Sequence, residues 1–197
     1  MIFYRVIRRL FLILAAPMFR FRVAGRELVP RRGPAVVVAP HRSWLDPACV
    51  GAAIERPIRF LIVDRMYHKP WARWFYRAMR SIPVQKGGAT SRAALRQALA
   101  CLRRGEMVGI FPEGRVVSEW SLGGLHAGAA MLAVRSGSPV VPVGIEGSAD
   151  AWPHGRPYPG PAPVSVRIGS ALKPPEQTGK DAVAMLTDSI EQALREL

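Results

Sequence analysis

Cysteine is scarce in this sequence: Cys49 and Cys101 are the only two among 197 residues. Neither forms a CxxC pair or stands near a histidine pair of zinc-ligand type, which argues against a structural zinc. Usage this sparse fits a reducing compartment better than a disulfide scaffold, although the count alone leaves one disulfide open. Acidic residues are few as well. Fourteen Asp and Glu stand against 28 Lys and Arg, a formal net charge of +14. A surface of that sign attracts nucleic acid, anionic lipid or phosphorylated substrates. Signatures of helix-turn-helix, zinc-finger and RNA-recognition modules are missing, so no nucleic-acid partner is expected. No apolar stretch reaches the roughly 20 residues of a spanning helix. Internal repeats and low-complexity tracts are also missing. With 49% hydrophobic and 21% charged residues, the chain is expected to form one globular domain with little left for a second.

The N-terminus is the most apolar part. Arg5, Arg8 and Arg9 precede an apolar run from Leu10 to Phe19, which Arg20 closes. Three readings fit. The basic-then-apolar order resembles a signal-peptide core. The apolar front end, Phe3, Tyr4 and Val6, fits an interfacial helix with aromatics and arginines at headgroup level. A helix of the domain core has the same composition. The interfacial reading accounts for both ends of the segment, so residues 1–20 are expected to form a membrane-interface helix and residues 21–197 the folded domain.

Along the remainder, short apolar runs alternate with helical patterns. Ala35 to Ala39, Ile58 to Val63, Ile82 to Val84, Val108 to Phe111 and Val140 to Ile145 read as strands. Val164 to Ile168 alternates like an edge strand. Helices are expected over Trp44 to Ile54, with Ser43 as N-cap, and over Trp71 to Met79, which carries a dense aromatic and arginine face. Further helices are expected over Ser91 to Arg104, Leu125 to Ser136 and Asp181 to Leu197, with Gly105 and Gly137 as stops after two of them. The Pro- and Gly-rich stretch from Trp152 to Pro163 should be a loop. The alternation predicts an α/β fold: a single domain with a largely parallel sheet flanked by helices, plus the short N-terminal interfacial helix. Functional residues should then gather at the strand ends.

Three segments at such ends carry chemistry. His41 closely follows a strand and Asp46 opens the next helix. A turn between them can fold the carboxylate onto the imidazole, fixing its tautomer and making it a general base for an alcohol. The same spacing also fits a capping or solvated histidine, with Asp46 favoured by the helix dipole. Phe111-Pro112-Glu113-Gly114-Arg115 follows another strand. Gly114 allows close backbone approach and Arg115 can hold a phosphate with two hydrogen bonds, while an ordinary turn has the same composition. Val141 to Glu146 places Pro142 inside a strand, which points to an edge, a bulge or a wall beside a ligand. Ser43 lacks the glycines of a nucleophile elbow, and Cys49 falls inside a helix. Direct attack by a substrate hydroxyl is therefore favoured over a covalent intermediate.

Together these segments resemble the glycerolipid acyltransferase family, whose best-known members are the 1-acylglycerol-3-phosphate acyltransferases. His41 and Asp46 match its first block, a histidine, four residues, then an aspartate. Ile82 to Lys86 match the second, a strand ending in a basic residue. Phe111 to Gly114 match the third, and Val141 to Ile145 the apolar, proline-bearing fourth. Order and spacing agree from about Phe21 to Gly147. The first and third blocks in this order are specific; the other two are weak.

The resemblance implies that His41 and Asp46 are catalytic and that Lys86, Glu113, Gly114 and Arg115 bind the acceptor phosphate. It also implies acyl transfer from acyl-CoA or acyl-carrier protein to a lysophospholipid hydroxyl, most simply that of 1-acylglycerol-3-phosphate, giving phosphatidate. No cofactor or metal is expected beyond the acyl-CoA or acyl-carrier protein co-substrate. Membrane lipids are the expected partners, at the cytoplasmic face of the membrane, for a peripheral or monotopic protein. Pro40 stands where the family commonly has Asn, Lys86 where it has Arg, and Arg115 where it commonly has Thr. A basic residue usual before the glycine of the next helix is missing near His126 and Ala127. These departures spare the His–Asp pair and bear on the acceptor. An aminolipid or glycolipid acceptor, or a non-catalytic basic membrane-binding module, are the competing expectations.

Overall fold

In the computed structural model, which describes residues 2–84, 92–113, 127–153 and 155–197, seven strands form one sheet between two helical layers. The strands are β1 (Arg22–Ala24), β2 (Ala35–Val38), β3 (Ile58–Val63), β4 (Ile82–Val84), β5 (Met107–Ile110), β6 (Val140–Glu146) and β7 (Ser165–Ile168). Their order across the sheet is β1-β7-β6-β2-β5-β3-β4. Every pairing is parallel except β6 with β7. The helices are α1 (Ile2–Leu10), α2 (Asp46–Ala53), α3 (Asp64–Tyr67), α4 (Pro70–Ala78), α5 (Arg92–Arg103), α6 (Ala127–Ser136), α7 (Ser148–Ala151) and α8 (Lys180–Arg195).

Central β2 shows why the sheet is covered on both sides. All four of its residues are buried, as a parallel strand between two helical layers requires. Val36 and Val38 pack with Ala98, Leu132 and Ile190 of α5, α6 and α8. Ala35 and Val37 belong to the opposite core with Cys49 and Val50 of α2 and with Phe19. This period of two within a continuous apolar run assigns each valine to a layer.

The expected edge position of Val164 to Ile168 is corrected. β7 lies between β1 and β6, because β1 adds to it in parallel register, Arg22 opposite Ser165. Its alternation, with Val166 and Ile168 buried and Arg167 exposed, reflects one covered face rather than a free edge. At three residues, β1 was too short to give a periodic signal. Pro142 is also not at an edge. The Gly169 N–H donates to the Pro142 carbonyl at 2.9 Å, and the bond that proline cannot return falls beyond the last ladder pair, Val143 with Ile168.

The segment ahead of Phe21 packs against α2 on one side. Tyr4 and Phe19 are buried, while Ile2, Val6, Leu10, Ile13 and Leu14 are exposed. No helix among the described residues is long and apolar enough to cross a membrane.

Candidate active site

The neighbouring parallel strands β2 and β5 release their chains at the same sheet end. One continues into Pro40 and His41, the other into Phe111, Pro112 and Glu113. His41 lies against the Phe111 ring, centroids 4.5 Å apart at 30°. Phe111 stacks on Phe60 of β3 at 5.6 Å. Phe60 can lie there because Gly109 has no side chain: a Cβ on it would sit 2.5 Å from the Phe60 ring. The imidazole is thus seated on an aromatic floor set by strand register.

Asp46 begins α2 and is fully buried. Its Oδ2 accepts the backbone N–H groups of Arg42 and Ser43, each at 2.7 Å, and lies 3.1 Å from His41 Nδ1. Two backbone donors fix the carboxylate before the histidine adds a third contact. Oδ2 already acts as acceptor toward both backbone N–H groups; accepting from Nδ1 in the same way leaves the imidazole lone pair on Nε2. Pro47 follows at a first-turn position that needs no N–H donor.

Ser43 is not the N-cap that its position predicts. Helix α2 starts at Asp46, and the buried Ser43 hydroxyl donates to the Trp152 carbonyl at 2.9 Å while accepting the Leu45 N–H at 3.2 Å. This ties the His–Asp turn to the loop after α7. The chain turns from β6 into α7 at Gly147, whose φ of +75° lies in the left-handed region. A Cβ there would fall 1.9 Å from the Pro163 carbonyl oxygen, so only glycine fits.

Glu113 is buried, and among the described residues its oxygens meet only the nearby backbone amides of Glu113 and His41, at geometry short of a full hydrogen bond. Burial raises its pKa; backbone amides of Glu113 and His41 and the charge of His41 oppose the rise, while Asp46 adds to it. The structure therefore brings Glu113 to the His–Asp pair. Lys86, Gly114 and Arg115 lie outside the described residues. The chain enters their segments from Val84 and Glu113, at the ends of β4 and β5. Those strands are two positions apart, about 10 Å at ordinary strand spacing.

Sequence reasoning missed the Phe111 ring contact, the Gly109 gap and the Ser43 tether. It also missed the cap on the far end of α2. The Tyr4 hydroxyl lies 3.0 and 3.1 Å from the carbonyls of Gly51 and Ile54, sharing its proton between them. Arg8 Nε donates to the Ala52 carbonyl at 3.0 Å. Aromatic and arginine composition marked the segment, but pairing across nearly fifty residues leaves no local signal.

An open α/β sheet with a carboxylate facing an imidazole at its carboxyl end defines the class: an α/β domain with a His–Asp pair at the strand ends. Residues 20–146 match the family described as Acyltransferase, and the chain belongs to that family, the glycerolipid acyltransferases that its motifs resemble. It is similar to the 1-acyl-sn-glycerol-3-phosphate acyltransferase of Pseudomonas aeruginosa, 27% identical over 176 residues, covering 87% of this chain and 66% of that protein. The Bacillus subtilis enzyme of the same name is 24% identical, with 89% and 87% covered. The lyso-ornithine lipid O-acyltransferase of Pseudomonas aeruginosa is 31% identical, with 81% and 60% covered. The chain thus spans two thirds or less of the length of two of these three relatives. The crystal structure of the 1-acyl-sn-glycerophosphate acyltransferase PlsC from Thermotoga maritima shares the fold, with a TM-score of 0.78 and 24% identity, covering 98% of this chain and 78% of that one.

Proposed function

We propose that this protein moves a fatty acyl group from the thioester of acyl-CoA or acyl-carrier protein to the hydroxyl of a lysophospholipid, most simply 1-acylglycerol-3-phosphate. The observation that carries the proposal is the buried Asp46 carboxylate, fixed by two backbone amides and facing His41 Nδ1. His41 Nε2 takes the hydroxyl proton as the oxygen attacks the thioester carbonyl carbon. Asp46 stabilises the imidazolium. As the tetrahedral intermediate collapses, the C–S bond breaks and the imidazolium returns its proton to the departing sulfur. Lys86, Gly114 and Arg115 hold the acceptor phosphate in this reading. The exposed apolar side chains of residues 2–14, beside the half-exposed Trp74 that Phe3 contacts edge-on, rest in the membrane interface and bring the site to its lipid.

One observation favours a second acceptor. Glu113 places beside the pair a buried carboxyl with no side-chain partner among the described residues, poorly suited to a phosphate and well suited to an amine. One relative is named for an ornithine lipid acceptor. Purified protein offered lysophosphatidate and a lyso-aminolipid, each with acyl-CoA and with acyl-carrier protein, tests both readings. Product from lysophosphatidate alone supports the first and product from the aminolipid alone the second. No product from any pair contradicts both.

A further inference from the structure

At the other end of the sheet, three arginines meet that the reaction does not use. Arg59 is the second residue of β3 and only 2% exposed. Arg104 follows the last turn of α5. Arg80 lies in the turn between α4 and β4. With Gln97, Ala100, Cys101 and Glu106 they line a cavity of about 380 Å³, within the usual range of ligand pockets. The topology creates it: β4 pairs with β3 only from Leu61 onward, so among the described residues the first residues of β3 have no strand neighbour on that side, and α5 packs beside the gap.

Among the described residues, Glu106 is the one acidic residue lining the cavity. Arg59 contacts both of its oxygens, at 2.9 and 3.2 Å, and Arg104 approaches at 3.3 Å. Burial pushes Glu106 up, but the hydrogen bonds and charge of Arg59, joined by Cys101 and Arg104, bring it down to about 2. It is therefore ionised at neutral pH, and the described lining holds three guanidiniums against this one carboxylate, a net positive cavity. A phosphate monoester carries about −1.5 to −2 near neutral pH.

The backbone of Arg80 supplies a separate observation. Its φ is +53°, in the left-handed region that a bulky residue rarely enters. Ser81 N–H donates to the Tyr76 carbonyl at 2.9 Å across this turn, the pattern in which the residue held by Arg80 is ordinarily glycine. An arginine kept in a glycine position, with its side chain at the cavity, points to work for the guanidinium.

We propose that this cavity is a binding site for a phosphate monoester, separate from the acceptor site. Glu106 immediately precedes β5 and Phe111, against His41, immediately follows it, so the two sites lie about 17 Å apart at the ordinary strand rise. A phosphate on the attacking lipid cannot span that distance while its hydroxyl meets His41. The site does not depend on His41 being the catalytic base.

Arg80→Gly tests it without endangering the fold, because glycine relieves the turn while removing one guanidinium. Calorimetric titration with inorganic phosphate should show saturable binding by the wild type and at least a ten-fold loss in Arg80→Gly and in Arg104→Gln. Arg96→Gln, on an exposed arginine of α5 away from the cavity lining, should bind as the wild type does. Two further comparisons identify the source of the phosphate. If it is the donor, Arg80→Gly weakens binding of coenzyme A but not of dephospho-coenzyme A, which lacks the monoester. If it is a lipid headgroup, Arg80→Gly weakens binding to phosphatidylcholine vesicles containing phosphatidate but not to plain ones. Equal binding of all these probes by wild type and Arg80→Gly, or an equal loss in Arg96→Gln, would overturn the proposal.

Discussion

At the residue scale, Asp46 is held more firmly than His41. Two backbone N–H groups aim at Oδ2, and each would lose its partner in Asp46→Ala, at about 1–3 kcal/mol per buried group. Asp46→Asn keeps an oxygen for them, so it should fold normally and retain a small residual rate; an unfolded Asp46→Asn protein would show that the charge itself holds the turn. Glu113 has the opposite balance. Its folded pKa is raised, so its contribution to stability is present below the unfolded value and lost as pH rises through the folded one. Glu113→Gln should therefore be more heat-stable than the wild type at pH 8, with the difference vanishing at pH 4. A difference independent of pH, followed by thermal melts, would exclude desolvation of the carboxylate as its cause. At this scale the sequence was legible where partners are near in the chain. His41 and Asp46 are five residues apart and the turn between them is short. The aromatic floor was not legible, because Gly109, Phe60 and Phe111 meet only through the register of β3 and β5.

At the scale of elements, α2 joins the site to the N-terminal segment. Asp46 occupies its first position, and the carbonyls at its last turn are satisfied by Tyr4 and Arg8. Helix ends buried without such partners are costly. Tyr4→Phe removes a hydroxyl shared by two carbonyls, and about 1–3 kcal/mol of stability should go with it; an unchanged midpoint in urea would show that water replaces the hydroxyl. Gly109→Ala drives a Cβ into the Phe60 ring, and overpacking of this kind costs about 1–3 kcal/mol. It should also slow turnover by moving the floor beneath His41. Strong local patterns gave most elements to within a few residues: α5 spans Arg92–Arg103 against an expected Ser91 to Arg104. The short elements β1, α3 and α7 were missed because, unlike the equally short β2, β4 and β5, they carry no continuous apolar run to mark them.

At the scale of the whole molecule, charge and apolar surface divide the work. In the proposed reading, the net charge of +14 draws the protein to an anionic surface at roughly 1 kcal/mol per basic residue close to it. In the same reading, the exposed apolar side chains of α1 and the turn after it add a part that salt does not screen. Replacing both Ile13 and Leu14 with Asp leaves Tyr4, Arg8 and Phe19 in place, so the fold should survive. Sedimentation with anionic vesicles should then fall at least ten-fold, and most clearly at high salt. Equal binding by the folded double variant would place the membrane contact elsewhere. Alternating strands and helices made the α/β architecture legible from the sequence. The side on which the N-terminal helix docks was not, since its composition suits a core and an interface equally.

The central claim is that His41 removes the proton from the attacking hydroxyl. Its most direct test is the rate of acyl transfer from an acyl thioester to 1-acylglycerol-3-phosphate by wild type and by a folded His41→Ala variant, measured with both substrates saturating. A general base contributes about 10²–10⁴-fold, so the account predicts a loss of that size with little change in acceptor KM. Wild-type turnover by the folded variant would contradict it.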